Sequence, residues 1–353
     1  MRLSVLDQIP IVAGGDGPRA IRETFALAQL ADRLGYERYW LAEHHNTTAL
    51  ACPAPAVMIP QVAARTQRIR VGSGGVMLSH YSPLKVAEAF HVIEAMHPGR
   101  IDLGVGRAPG SDGRTARALA HGPGALGIEH YPEQLMDLYG YLAGDLPAEH
   151  PFRSVRAIPE VAGLPELWLL GSSTVSGTYA AELGWAFSFA HFISPEGGEA
   201  VIRNYRERFR PSPALAEPRA NMGVSLTCAE TDEEARELSW SRWCWRIMSN
   251  RGMGGGIPSV ETARAFPYNE RELAYIEHMQ GLSIHGSPGR CLAKLEELSA
   301  TYDVDEFVVL TITHDPAARR RSYELLAEAA GIAAPPAAPG EARAEAPSPS
   351  PSP

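Results

Sequence analysis

A carboxylate and two adjacent imidazoles, Glu43, His44 and His45, follow an apolar, strand-like run at residues 36–42. Residues of these types bind metals, satisfy local hydrogen bonds at a strand end, or exchange protons with a ligand in a pocket. Neighbouring strand residues point to opposite faces, which argues against one ion shared by His44 and His45. The elements around this segment decide between a structural histidine and a pocket histidine.

Eight short β-rich runs, each followed by a segment of helical periodicity, organise the chain. Strands that alternate with helices in this way indicate a parallel sheet, and eight units in about 330 residues predict a (β/α)8 TIM barrel. The predicted strands are residues 3–8, 39–45, 69–78, 101–110, 167–173, 185–192, 221–230 and 306–313. We therefore expect one barrel domain over residues 1–332.

Three further segments carry structural expectations. Residues 145–165 and 250–286 are predicted to be irregular, and the second, which contains several glycines, is an insertion loop and candidate lid. The Arg319–Arg321 run is predicted to lie on a solvated helix face. Residues 333–353 are rich in Ala, Pro and Ser and are predicted to form a disordered tail.

Composition restricts the class of protein. The hydrophobic share of 45% suits a globular protein with a sizeable core, and a net charge of −9 argues against a nucleic-acid-binding surface. Cysteines at 52, 228, 244 and 291 lack C-x-x-C spacing, which predicts free, mostly buried thiols in a reducing compartment. No apolar run approaches the roughly 20 residues of a membrane span. These features predict a soluble, cytoplasmic protein.

In a barrel of this type the site lies at the carboxyl ends of the strands. The residues predicted at those ends are Asp7, Gln8, Glu43, His44, His45, Gly74, Gly75, Val76, Met77, Gly106, Arg107, Gly171, Ser172, Ser173, His191 and Cys228. A serine hydrolase is disfavoured because no G-x-S-x-G elbow occurs. A metal site built from Asp7, His44 and His191 is an alternative, although H-x-H spacing is absent.

Two strand ends suggest a phosphorylated ligand. The sequence LLGSSTVSG places Gly171, Ser172 and Ser173 at the start of a helix, where free N–H groups either receive a phosphate or are capped by serine. The sequence IDLGVGRAPG resembles a dinucleotide fingerprint but follows the fourth strand. Its Arg107 either pairs with a carboxylate or meets an anion. Together with His44, these features predict a site for a phosphorylated planar cofactor.

Five segments carry a family resemblance: RYWLAEHHN, TQRIRVGSGGVMLSHYSPLKVAEAF, HPGRIDLGVGRAPGSD, LLGSSTVSGTYAAELG and VLTITHD. Through them the chain resembles the bacterial luciferase-like, flavin-dependent monooxygenases over about residues 3–330. The resemblance implies a barrel that binds reduced FMN, or deazaflavin F420 in some branches. Light-emitting members have a cysteine where Gly106 stands, so luminescence is not expected here.

The resemblance also implies roles for individual residues. His44 matches the histidine that supports the oxygen chemistry of the flavin, and Gly74–Gly75 lies where the family often has a cis peptide behind the flavin ring. The predicted contacts of the cofactor phosphate are Arg107, Gly171, Ser172, Ser173 and Ser176. Neighbours of the ring or the substrate are expected among Gln8, Met77, His80 and Tyr81, although core or turn packing explains each of these equally well.

The implied enzyme is a two-component monooxygenase. A separate NAD(P)H:flavin reductase would supply reduced FMN, and O2 would provide the atom inserted into an organic substrate such as a polyketide or another antibiotic-type secondary metabolite. A homodimer is expected, with the helix around Trp240–Trp245 as a candidate interface, although core packing explains these tryptophans at least as well. The alternatives are an F420-dependent hydride-transferring oxidoreductase and a non-catalytic flavin-binding barrel.

Overall fold

Eight parallel strands close into a barrel in the computed structural model, which describes residues 1–107, 112–120 and 127–332. The strands are β1 (Arg2–Asp7), β2 (Arg38–Leu41), β3 (Arg70–Met77), β4 (Ile101–Gly106), β5 (Glu166–Gly171), β6 (Ala186–Ala190), β7 (Ala220–Cys228) and, after a short extra strand β8 (Ile284–Gly286), β9 (Glu306–Leu310). Strand β6 pairs with β7, and β9 pairs with both β7 and β1, so the sheet closes. The predicted barrel is confirmed.

Helices surround the barrel and connect successive strands. Their bounds are α1 (Gly17–Leu34), α2 (Pro55–Ala63), α3 (Pro83–Met96), α4 (Gly113–Leu119), α5 (Tyr131–Ala143), α6 (Thr174–Leu183), α7 (Gly198–Arg208), α8 (Asp232–Asn250), α9 (Val260–Ala265), α10 (Glu270–Leu282), α11 (Pro288–Tyr302) and α12 (Pro316–Ala330). Helix α1 shows the local signals: Asp16 accepts a hydrogen bond from the Arg19 N–H at 2.7 Å, and Gly35 ends the helix at φ 87°. Across the described ranges, no helix combines the length and apolar character needed to cross a membrane.

Alternate residues of each strand belong to two different cores. Tyr39 and Leu41 of β2 pack outward against the helices, whereas Trp40 between them points into the barrel. The inward side chains form a barrel-interior cluster of Leu6, Trp40, Ala42, Ala49, Leu50, Trp168, Ala186, Ile257, Val308, Leu310 and Ile312. Because Ala42, Leu310 and Ile312 lie at or beyond the carboxyl ends of their strands, this cluster reaches the mouth of the barrel.

The opposite end of the barrel interior is closed by ion pairs. The Arg38 guanidinium is buried and lies 3.0 Å from Asp102, 3.1 Å from Glu166 and 2.9 Å from Glu306. All four residues stand at the first or second position of their strands. Burial alone would lower the pKa of Arg38, but the surrounding carboxylates raise it above its ordinary value. This end of the barrel is therefore structural, and the mouth is left for chemistry.

Several boundaries differ from those predicted. Strand β2 ends at Leu41, before Glu43, and β4 ends at Gly106. Residues 145–165 contain no helix or strand, as predicted, whereas 250–286 is more than a loop: it contains α9, α10 and β8. A capping box between Asn269 and Glu272 starts α10. The predicted tail at 333–353 lies outside the described residues.

The tryptophans of α8 pack within this chain. Trp243 is buried with Ile276 of α10, Trp240 joins the same cluster, and Trp245 packs against the barrel-interior cluster. Core packing is therefore the interpretation that the structure supports, and this sequence feature identifies no interface. The four cysteines are free and buried, as predicted.

Candidate active site

The carboxylate of Glu43 connects two neighbouring strand ends. Its buried side chain lies 2.7 Å from His45 Nε2, accepts a hydrogen bond from the Tyr81 hydroxyl at 2.7 Å, and accepts one from the Met77 N–H at 3.1 Å. The His80 ring lies 6.2 Å from that of His45. The structure thus brings two separate sequence segments together: Glu43 bonds to His45, Tyr81 and the Met77 N–H, and His80 lies beside His45.

His44 lies apart from this network. Its ring is largely buried, and its Nδ1 has no hydrogen-bond partner. Burial, assisted by the nearby charges of His45 and Arg246, lowers the pKa of His44 to about 4. The imidazole is therefore neutral at physiological pH and has both a donor and an acceptor nitrogen. His44 and His45 thus have different surroundings, which agrees with the argument against a shared ion.

Strand β3 presents backbone without side chains at Gly74 and Gly75, where it reaches the mouth. The peptide bond between Gly74 and Gly75 is cis, as the resemblance implied, and both residues keep accessible surface inside an otherwise buried strand. A Cβ atom at Gly74 would stand 2.7 Å from Leu6 and 2.9 Å from Trp40, so the barrel-interior cluster leaves no room for a side chain. Gly106 at the end of β4 is also partly exposed. Accessible backbone of this kind suits a flat ring.

A second group of polar residues surrounds the start of α6. Ser173 caps the helix: its Oγ accepts a hydrogen bond from the Ser176 N–H at 3.3 Å and lies 3.0 Å from Ser176 Oγ. The capping interpretation is thus correct, and it leaves the remaining N–H groups of the first turn available. Ser172 and Gly171 are partly exposed beside it.

Arg107 and Tyr131 extend this group. Arg107 is exposed at the end of β4 and lies close enough to Tyr131 to act on its pKa, which burial raises above the ordinary value. The Tyr131 hydroxyl is buried without a hydrogen-bond partner, and its ring lies 6.5 Å from that of Tyr179 in α6. Within the described residues, the structure therefore places a guanidinium without an ion pair, a hydroxyl without a hydrogen-bond partner and a helix N-terminus in one region.

Asp7 is wrongly assigned as a candidate metal ligand. Its buried carboxylate accepts hydrogen bonds from Ile9 N–H at 2.7 Å, Thr24 Oγ1 at 2.7 Å, Tyr39 hydroxyl at 2.5 Å and Arg319 Nη2 at 2.8 Å. Burial alone would raise the pKa of Asp7, but Arg319 and these hydrogen bonds hold it below its usual value. Every lone-pair direction of this carboxylate is in use, so its role is structural.

The structure also locates His191, the remaining metal candidate, and the strand-end residues Cys228 and Gln8. The His191 ring packs against Tyr302 at 5.9 Å and Phe189 at 6.5 Å, and Cys228 is buried in β7. The residues that the structure describes contain no group of three or more His, Cys, Asp or Glu side chains suited to a metal ion. Gln8 is partly buried just beyond β1, with no hydrogen bond from its side chain in the described chain.

Comparison with known proteins gives the family. Residues 1–304 match the family model described as luciferase-like monooxygenase. The chain belongs to the luciferase-like monooxygenase family. Membership makes this protein an oxygenase, in agreement with the resemblance seen in the sequence motifs.

Related proteins cover almost the whole chain. The N-acetyl-S-alkylcysteine monooxygenase of Bacillus subtilis (strain 168) is 37% identical over 330 residues, covering 93% of this chain and 98% of that protein. A luciferase-like monooxygenase of Escherichia coli (strain K12) is 36% identical, covering 91% of this chain and 95% of that protein. The crystal structure of apo-MsnO8 superposes with a TM-score of 0.85 at 37% identity, covering 94% of this chain and 98% of that chain.

Sequence reasoning missed three features of the site. Tyr131 starts a helix far from any predicted strand end, and nothing in its local pattern marks a buried hydroxyl. The role of Glu43 could be inferred in part, since Glu43 and His45 are two apart in the predicted strand 39–45 and would share one of its faces, although β2 ends at Leu41. Arg242 and Arg246 of α8 stand within a helical pattern in which arginine normally faces solvent, and only packing shows where they lie.

Proposed function

We propose that this protein is a two-component monooxygenase that uses reduced FMN and O2 to oxygenate a small organic substrate. The observation that supports this most directly is the convergence of Arg107, the unpaired Tyr131 hydroxyl and the α6 N-terminus in one region. A phosphate monoester requires donors of these kinds, and one helix N-terminus with a guanidinium and hydroxyls is sufficient to bind it. The residues therefore fit a phosphorylated flavin.

The residues that would hold FMN divide into two sets. Arg107, Ser172, Ser173, Ser176 and the backbone at Gly171 would bind the phosphate, and the bare backbone of Gly74 and Gly75 would lie against the ring. Bound reduced FMN would supply the electrons that activate O2. The protein would orient the cofactor and the substrate and exclude water from them. The aromatic and aliphatic side chains of the barrel-interior cluster provide an apolar surface that excludes water.

His44 is the proposed catalytic residue. Because its imidazole is neutral and its Nδ1 has no protein partner, it can donate or accept a hydrogen bond at the mouth without first losing a proton. Glu43 holds His45 and Tyr81 beside it, so that these residues and His80 shape the wall of the site. Gln8 and Met77 are proposed to line the same space.

The cellular setting follows from the same proposal. An NAD(P)H:flavin reductase would deliver the reduced cofactor, so the enzyme would act in the cytoplasm, as a homodimer in keeping with the resemblance. The substrate would be a secondary metabolite or a related small molecule. A thioether of the N-acetyl-S-alkylcysteine type is the first compound to test, since a relative 37% identical to this chain is named for that substrate.

The cofactor assignment is tested by binding. Fluorescence titration should show that FMN binds more tightly than riboflavin and F420, and Arg107→Gln should weaken FMN about tenfold while leaving riboflavin unchanged, as expected for the loss of one charged contact. Tighter binding of F420 than of FMN, with hydride transfer under anaerobic conditions, would instead identify the F420-dependent oxidoreductase.

Oxygen transfer is tested separately. The protein is supplied with a flavin reductase, NADH, FMN and 18O-labelled dioxygen, and mass spectrometry of N-acetyl-S-methylcysteine is expected to show one labelled oxygen atom. Replacing His44 by Gln should lower the ratio of product to released H2O2. FMN binding with no labelled product from a panel of thioethers, ketones and alkenes would favour the non-catalytic flavin-binding barrel.

A further inference from the structure

Helix α8 contains a buried arginine that has no carboxylate partner. Arg242 is 9% exposed, and its Nε and Nη1 atoms form no hydrogen bond. The two other buried arginines of the described chain are both paired, Arg38 with Glu306 at 2.9 Å and Arg319 with Asp7 at 2.8 Å. Among the described residues, no carboxylate forms an ion pair with Arg242 or contributes to its pKa.

The charge of Arg242 persists despite this environment. Burial, reinforced by the neighbouring Arg246, lowers the pKa of Arg242 to about 10, which still leaves the guanidinium protonated at neutral pH. Tyr275 of α10 is the remaining titratable group that acts on it. A buried charge without a partner is costly, and proteins normally neutralise such a group with an opposite charge. Here the described protein supplies no opposite charge, and the guanidinium instead lies over the ring of Trp243, 5.3 Å from the ring centroid.

Arg242 lies on the side of α8 that faces the mouth of the barrel. Arg242, Trp245 and Arg246 occupy positions i, i+3 and i+4 of the helix and therefore share a face. Trp245 packs against the barrel-interior cluster, and the charge of Arg246 acts on both Arg242 and His44. The preceding Ser241 is buried, and its hydroxyl also lacks a partner. Among the described residues, these unpaired donors therefore lie on the same helix as Trp245, which contacts the barrel-interior cluster, and Arg246, which acts on the pKa of His44.

We propose that the organic substrate carries a carboxylate and that Arg242 binds this group. A guanidinium matches a carboxylate with two parallel hydrogen bonds, donated by Nη2 together with either Nε or Nη1, and none of these three groups of Arg242 donates a hydrogen bond to the described protein. Exposed Arg246 attracts the anion to the mouth, and Ser241 offers a further donor. This inference rests on the proposed function and deepens it, because it gives the substrate a negative charge and assigns the residue that recognises it.

The cofactor phosphate is the other anion to consider for Arg242. Arg107, Tyr131 and the N-terminus of α6 already provide donors for a phosphate, whereas Arg246, the charge that acts on the pKa of Arg242, also acts on the pKa of His44. The two assignments differ in what each arginine should affect. Loss of Arg242 should weaken the binding of an organic acid and leave FMN binding unchanged. Loss of Arg107 should weaken FMN binding and leave the binding of the acid unchanged.

The test compares an acid with its neutral ester in the full-length protein loaded with FMN. N-acetyl-S-benzylcysteine, hexanoate and benzoate are titrated calorimetrically, each against its methyl ester. In the wild type at least one acid should bind about tenfold more tightly than its ester. Arg242→Met should remove this preference, while Arg236→Met, an exposed position on the same helix, should retain it.

A folding control accompanies the binding measurement. Because Arg242→Met removes an unpaired buried charge, its thermal midpoint should equal or exceed that of the wild type in the absence of any acid. Arg242→Lys provides a second variant, which keeps the charge without the two-pronged geometry and should bind the acid with intermediate affinity.

Three results would overturn the proposal. The first is that no acid binds the wild type more tightly than its ester. The second is that the preference survives in Arg242→Met. The third is that Arg242→Met weakens FMN but not riboflavin, which would assign the arginine to the cofactor phosphate.

Failure of the proposed function gives a different pattern. An acid that binds through Arg242 without gaining an atom from labelled dioxygen would leave this inference standing and contradict the monooxygenase proposal. Equal oxygenation of acid and ester, with no effect of Arg242→Met on the KM of either, would support the monooxygenase proposal and contradict the carboxylate site at Arg242.

Discussion

The buried imidazole of His44 should make the stability of the protein depend on pH in a calculable way. In the unfolded chain this histidine has a pKa near 6.5, and burial lowers the pKa in the folded protein to about 4. Between these values the unfolded state binds a proton that the folded state does not, so the free energy of unfolding falls as the pH is lowered. The contribution of His44 is fully present above about pH 6.5 and is lost towards pH 4.

The size of this effect follows from the two pKa values. Linkage predicts that His44 alone removes about 2 kcal/mol from the free energy of unfolding between pH 8 and pH 5, and about 3 kcal/mol by pH 4. The assay is urea unfolding at pH 8 and pH 5 for the wild type and for His44→Gln, which has no titrating group at this position. The variant should lose about 2 kcal/mol less than the wild type over this interval.

A matched control separates burial from the mere presence of a histidine. His278 is exposed on α10, and His278→Gln should lose as much stability between pH 8 and pH 5 as the wild type does. If His44→Gln and the wild type lose equal amounts, the imidazole is not held neutral by its surroundings. His44 would then not be the neutral hydrogen-bond donor that is proposed at the mouth.

Three further substitutions test other parts of the structure. Gly171→Ala would place a Cβ atom against Ser176 Oγ, so the dissociation constant for FMN should rise about tenfold by titration while riboflavin binding is unchanged; equal weakening of both would contradict the phosphate assignment. Glu43→Gln should cost about 2 kcal/mol in urea unfolding, because the charged acceptor of Tyr81 and His45 is lost. Arg38→Met should cost about 3–5 kcal/mol by the same measurement, since it leaves buried carboxylates unpaired; a loss below 1 kcal/mol would show that water replaces the arginine.

The barrel could be predicted because its signals are local. Strand residues alternate between two environments, as Tyr39, Trp40 and Leu41 do, and each helix has its own period and its own caps, such as Asp16 and Gly35. A parallel sheet then requires the carboxyl ends of all strands to meet at one edge. For the same reason the sequence predicts that His44 and Ser173 both lie at the mouth.

The region after α8 shows where local signals are insufficient. Its glycines and prolines suggested an irregular lid, but α10 forms because its apolar residues pack against Trp240 and Trp243 of α8. Packing across the connection supplies the stability that the short segments lack alone. The N-cap Asn269 with Glu272 and the helix-forming residues that follow were a local signal for α10, but they do not show which face of the helix is buried.

The pairing of charged residues was decided only by the tertiary structure. Arg319 belongs to a run of arginines that was predicted to face solvent. In the structure it is buried and donates a hydrogen bond to Asp7, 312 positions away in the chain. Arg242 occupies an equally ordinary helical position and is buried without such a partner. The sequence by itself determined the alternation of strands and helices and where each strand ends to within a few residues, because both depend on periodicity along a few residues. Whether a charge there is neutralised depends on every element packed around it, and that is a property of the closed barrel.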